Sequence, residues 1–250
     1  MNRMIGFDRK LQLDWLDTIV GLCQESLDPG VIAGRLHHYL ADEVEGTEAR
    51  RKTITVLLRI WLNVPAEHER LRDEALHLAT QVNPADRLWL HWGMSLLAYP
   101  FFRDVAATVG RLGNLQGTFS QAQVQRRMIE NWGQRTTLQR AVRRLLRTFI
   151  NWNVLRETNV RGSYDVAPPR QTENRELALW LLECTLRANG SEVPLMALVQ
   201  SPQLFPFELT PYAAGLRRSE RFVVSREGLD LEMVALKCQI GSDLDEGVGG

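Results

Sequence analysis

Between Thr137 and Asn151 the chain carries a pattern that only an α-helix with two unlike faces accommodates. Leu138, Val142, Leu145, Phe149 and Trp152 recur at steps of four, three, four and three residues, which lays them along one apolar stripe. Arg140, Arg143, Arg144 and Arg147 fall on the other side. The stripe requires a core to pack on. The four arginines, with no acid interleaved, repel one another unless an anion is near.

The flanks of this helix narrow the choice of fold. Upstream, residues 101–112 read as a helix ended by Gly113, and Gly117-Thr118-Phe119 as a short extended piece. Ser120-Gln121-Ala122-Gln123 has the form of a capping box, with Phe119 and Val124 placed as its hydrophobic staple. The helix it opens is expected to end near Asn131-Trp132-Gly133, where glycine suits the terminal conformation. Thr136-Thr137-Leu138-Gln139 reads as a second capping box. Downstream, residues 154–160 and Tyr164-Asp165-Val166 flank Arg161-Gly162 as strand, turn and strand, closed by Pro168-Pro169. Helix, strand, helix, turn, helix and hairpin is the order of a winged helix-turn-helix, assigned to residues 99–170.

The rest of the chain is also mainly helical. Leu11, Trp15, Leu16, Ile19, Val20 and Cys23 predict a helix over residues 7–27. Asp28-Pro29-Gly30 interrupts, and further helices follow over residues 31–44, 54–62, 71–82 and 88–97, the last apolar nearly all round. Residues 1–98 are thus expected to form a small helical bundle. In residues 171–240, a helix over 172–188 is followed by short helices at 195–199 and 211–217. Phe222-Val223-Val224 and residues 229–234 then flank Glu227-Gly228 as a hairpin. This C-terminal α+β region reads as a second, degraded winged helix. Residues 241–250, acidic and Gly-rich, are expected to be disordered.

Charge distribution points to a partner where total charge does not. The formal net charge is zero, yet residues 119–170 hold ten arginines against three acids, a net of +7, which leaves −7 for the remainder. Concentrated positive charge on one small unit of a neutral chain is the footprint of a polyanion-binding surface. The expected partner is double-stranded DNA. The Arg140, Arg143, Arg144 and Arg147 face is assigned to the major groove, with Thr136, Thr137 and Gln139 near phosphates or base edges. Arg161 would reach along the backbone or into the minor groove, and Arg126, Arg127 and Arg135 complete the basic surface.

Other chemistries find little support. Cys23, Cys184 and Cys238 are odd in number and widely spaced, which suggests neither disulfides nor a zinc knuckle and fits a reducing, cytoplasmic setting. Nothing approaches the roughly 20 apolar residues of a membrane span. The adjacent His37 and His38 point apart on a helix, and His91 lies among Trp89, Leu90 and Trp92 as a core residue. Trp61, Trp89, Trp92, Trp132 and Trp152 all fall on apolar faces. Asp14, Asp17, Glu43 and Glu45 are read as solvated. No nucleotide-binding, zinc-protease or nucleophile-elbow motif occurs, so no catalytic residue, metal, cofactor or small-molecule substrate is assigned.

Three stretches carry a resemblance: Lys52-Thr53-Ile54-Thr55-Val56-Leu57-Leu58-Arg59-Ile60-Trp61, Leu96-Leu97-Ala98-Tyr99-Pro100-Phe101-Phe102-Arg103-Asp104-Val105, and the helix and strand from Thr137 to Leu155. Together they resemble the BrxA-like proteins of bacterial BREX anti-phage defence systems. That resemblance implies a small helical domain similar to the antitermination factor NusB, joined to a winged helix, in a DNA-binding accessory protein without catalytic residues. It covers residues 10–166, and the chain departs from it by the residues beyond. The expected function is therefore a non-catalytic DNA-binding accessory or regulatory component, which would meet other proteins of a defence complex. An assembly subunit whose winged helices bind protein is the alternative, and a regulator of a palindromic site would need a dimer.

Overall fold

The computed structural model describes residues 5–190, 192–227 and 231–237. The stretch 241–250, expected to be disordered, and the Gly228 turn lie outside them. Before Tyr99 the described residues form α1 (Leu13–Glu25), α2 (Pro29–Tyr39), α3 (Thr47–Trp61), α4 (Ala66–Leu78) and α5 (Arg87–Ala98). Asp28 caps α2 by accepting from the Val31 N–H, and Pro29 occupies its first position, where a missing N–H costs nothing. The first helix is shorter than its periodicity predicts. Residues 7–12 are not helical, because Phe7 is buried against Tyr99 and Phe102 and the Leu11 N–H donates to the Thr148 hydroxyl at 3.0 Å. Tertiary contacts there outbid the helical ladder. The second helix likewise stops at Tyr39 rather than near Val44.

Beyond Tyr99 come α6 (Pro100–Gln116), β1 (Thr118–Ser120), α7 (Gln121–Trp132), α8 (Thr136–Asn151), β2 (Leu155–Glu157) and β3 (Ser163–Val166). The helix α6 runs through Gly113 and stops only at Gly117. Gly113 serves close packing instead, since a Cβ there would sit 2.5 Å from Val166 Cγ2. The three strands form an antiparallel sheet in the order β1-β3-β2, with Phe119 opposite Tyr164 and Arg156 opposite Asp165. The last part holds α9 (Arg175–Asn189), β4 (Val193–Pro194), α10 (Leu195–Val199), α11 (Ala213–Leu216), β5 (Phe222–Glu227) and β6 (Leu231–Leu236). Its sheet is ordered β4-β6-β5. Both sheets thus place their last strand in the centre, paired with the first on one side and the middle one on the other, so one topology occurs twice. The protein is mainly helical with two small antiparallel sheets, and no described helix is long and apolar enough to cross a membrane.

A helix apolar on every side must be wrapped, and α5 is: ten of its residues, from Leu88 to Ala98, are buried. Trp92 is the hub. Its ring lies within 6.0 Å of those of Phe102, Phe149, Trp152, Phe205 and Phe207, and its indole N–H donates to the Gln203 carbonyl at 2.9 Å. One residue of α5 therefore touches α6, α8 and the C-terminal part together. The buried apolar side chains form one continuous cluster from Phe7 to Val234, which includes all five tryptophans assigned to the core. His91 is buried too, and its Nε2 lies 3.1 Å from Asp17 Oδ1. Asp17, expected to be solvated, is the partner of His91 and lies 3.6 Å from Arg87.

Charge also crosses the interior. Glu183 on α9 is only 2 % exposed and is held by Arg70 of α4, Arg187 of α9 and Arg221 just before β5. Glu74 joins through Arg70 and Arg221. A carboxylate this deep is tolerated only with its full set of donors, so the network fastens the C-terminal part to α4.

Candidate nucleic-acid interface

Ser120 builds the start of α7 as its sequence suggests. Its hydroxyl accepts from the Gln123 N–H at 3.3 Å, and Gln123 Oε1 accepts from the Ser120 N–H at 2.7 Å. Phe119 and Val124 are both buried beside it. Gly133, at φ +77°, ends α7, and three residues later α8 begins. The second capping box does not form. Arg135 is the N-cap of α8 and no side chain caps the helix; Thr136 is already inside its first turn. The Gln139 backbone carbonyl accepts from Gln125 Nε2 at 3.2 Å, which ties α8 to α7.

The apolar stripe of α8 lies where its period requires. Leu138, Val142, Leu145, Phe149 and Trp152 are fully buried, and Ala141, Leu146 and Thr148 widen the covered face. The arginine face is different from the open row the sequence suggests. Residues 7–11 run along one flank of α8, with Thr148 donating to the Arg9 carbonyl and Asn151 to that of Leu11. This brings Asp8 to Arg144, whose Nη1 donates to Asp8 Oδ1 at 2.7 Å and to the Asp8 carbonyl at 3.0 Å. Arg140 stands 3.7 Å from the other carboxylate oxygen. Arg147 makes a two-pronged contact with Glu157 of β2 at 3.1 and 3.3 Å. The repulsion expected of four arginines is thus relieved by two acids, one of them 136 residues away from the arginine it binds.

Positive charge nevertheless dominates. Burial, and then the neighbouring Arg144, lower the Arg9 pKa, a mark of how closely cations are crowded around Asp8. Arg143 is exposed and makes no hydrogen bond or ion pair among the described residues, and the same holds for Lys10 and Arg161. These three meet across a cleft of 610 Å³ between the α7 N-terminus, α8 and the β2–β3 turn, with Gln121, Gln125 and the Arg147–Glu157 pair also in its lining. Gly162, at φ +74°, makes the sharp turn that turns Arg161 toward solvent. Tyr164 lines the cleft but is only 6 % exposed. Burial, reinforced by Glu157, raises its pKa, so it remains a neutral phenol.

The other expected contact residues spread around this centre. Thr136 and Thr137 are exposed at the start of α8, and Arg126 is exposed on α7. Arg127 faces away from the cleft: it pairs with Glu130 at 3.3 Å and lines a separate pocket with Arg111 and Leu115 of α6. Arg135 is half-buried in the turn, where it donates to the Trp132 carbonyl at 2.9 Å. Sequence reasoning missed Asp8, Lys10, Gln121 and Gln125. The signal for the first two was the charged run Asp8-Arg9-Lys10 directly after Gly6-Phe7, which breaks the helical period. Among the described residues no group of three or more His, Cys, Asp or Glu is arranged to hold a metal ion. Comparison of the chain with family models, with curated proteins and with solved structures finds no match in any of the three.

Proposed function

We propose that this chain is a non-catalytic double-stranded DNA-binding accessory protein and that residues 100–166 are a winged helix whose α8 is the groove-facing element. One observation carries the reading: Arg140 and Arg143 are exposed on α8, and Arg143 shares a cleft with Arg161 of the β2–β3 turn, in a chain whose total charge is zero. Element order supports the winged helix, with a three-residue turn between α7 and α8 and the sheet order β1-β3-β2. The resemblance to BrxA-like proteins supplies the setting, an anti-phage defence system, in which the protein would position DNA for enzymes it accompanies. Fluorescence anisotropy on a labelled 20-base-pair duplex tests this. A log-log salt slope between about −3 and −5 is expected. A flat salt response, or no binding at low salt, overturns the reading.

The repeated topology at the C-terminus favours a second role there. Its α11 spans four residues and carries no arginine row, while Met196, Val223 and Leu231 are exposed. That unit is proposed to serve protein contacts, as in the assembly-subunit reading, rather than DNA.

A further inference from the structure

We propose that the cleft between α7, α8 and the β2–β3 turn grips the phosphodiester backbone of one DNA strand, with Lys10, Arg143 and Arg161 as its phosphate ligands. The inference rests on the DNA-binding reading and deepens it, because it divides the arginine row into ligands and structural groups and adds a ligand from outside the winged-helix region. Charge carries the first part. Three cations here have no protein partner among the described residues, and the acid in the lining, Glu157, is already engaged by both prongs of Arg147. Arg144, locked to Asp8 through two hydrogen bonds, is withheld.

Shape and surface chemistry carry the second part. A 610 Å³ cleft admits a strand of backbone but not a duplex. Bases bind single-strand grooves by stacking on exposed aromatic faces, and the aromatic residue here, Tyr164, is buried to 6 % exposure. The ligand therefore presents phosphate rather than base. The α7 N-terminus, capped by Ser120, points a positive dipole end at the same space. The exposed N-terminal half of α8 stands beyond the cleft, so a duplex whose major groove receives Thr137, Gln139 and Arg140 would send its bordering strand past Arg143 and into it.

The test measures anisotropy of a 20-base-pair duplex from 50 to 300 mM salt for wild type, K10A, R143A, R161A, the triple variant and R218A. Arg218 is exposed on the C-terminal part and controls for the loss of one charge. Each cleft substitution should flatten the salt slope by about 0.9 and the triple by about 2.7, whereas R218A leaves it unchanged. Replacing Glu157 by Gln removes the one acid in the lining and should tighten binding, a gain that misfolding would not produce. Equal effects from R218A and the cleft variants would mean diffuse attraction and overturn the proposal. Wild-type binding that the triple variant leaves intact would overturn the cleft alone and leave the helix-face reading standing. No duplex binding by the wild-type protein would overturn the DNA reading itself, and the cleft with it.

Discussion

Replacing Asp8 by Asn keeps the shape of the side chain and removes the charge that holds Arg144 and Arg140. A hydrogen bond between charged groups contributes about 1.5 to 3 kcal/mol. Asp8 and Arg144 side chains are 32 % and 29 % exposed, so solvent screening reduces this to about 1 to 2 kcal/mol. For a chain of this size that lowers Tm by about 2 to 8 °C. The segment itself should stay in place, because Phe7 and Leu11 are fully buried and the Leu11–Thr148 hydrogen bond does not involve Asp8. Arg144 then becomes available to phosphates beside Arg140, which is already exposed. Each new contact steepens the salt slope by about 0.9, and a single one gains about 1.5 kcal/mol, roughly tenfold in affinity. D8N is therefore expected to be less stable and to bind DNA more tightly. Thermal melting and duplex anisotropy on the same preparation read both signs. A variant that loses stability and DNA affinity together would show that Asp8 positions the binding surface instead of competing for it.

Phe149→Ala should cost about 3 to 5 kcal/mol by urea unfolding, since Phe149 is fully buried and its ring packs on Trp92, Phe102, Trp152 and Phe205; Arg143→Ala, on the opposite face, should stay within about 0.5 kcal/mol of wild type. Similar costs for the two would refute the assignment of faces. Glu183→Gln leaves Arg70, Arg187 and Arg221 around a neutral amide and should destabilise by about 3 to 5 kcal/mol; wild-type stability in that variant would mean the network is solvated. Burial holds the His91 pKa below its ordinary value of 6.5, against the opposing pull of Asp17. The unfolded chain then binds more protons than the folded one, so this contribution is fully present above about pH 6.5 and is lost as pH falls through the lower folded value. Wild type should lose stability against H91Q between pH 7 and pH 5, and parallel pH profiles would refute the buried neutral imidazole.

Features set by neighbours along the chain were legible before any coordinates. The stripe Leu138, Val142, Leu145, Phe149 and Trp152 needs only the period of a helix, and the Ser120–Gln123 box only three residues and their backbone. The same local logic failed at Thr136, which lies inside the first turn of α8 while Arg135 holds the N-cap position with no side-chain cap. It failed again at Gly113, whose neighbour Val166 belongs to a strand 53 residues on.

By itself the sequence determined that residues 137–151 form a two-faced helix beside a hairpin and that positive charge gathers there, because periodicity, caps and composition act over a few residues. Only the tertiary structure decided which arginines remain open. Arg144 meets Asp8 and Arg147 meets Glu157 across folded space, while Lys10 joins Arg143 and Arg161 at one cleft. Coulomb attraction depends on distance in space, and that distance is set by the core around Trp92, where burial of side chains far apart in the chain fixes how the elements meet.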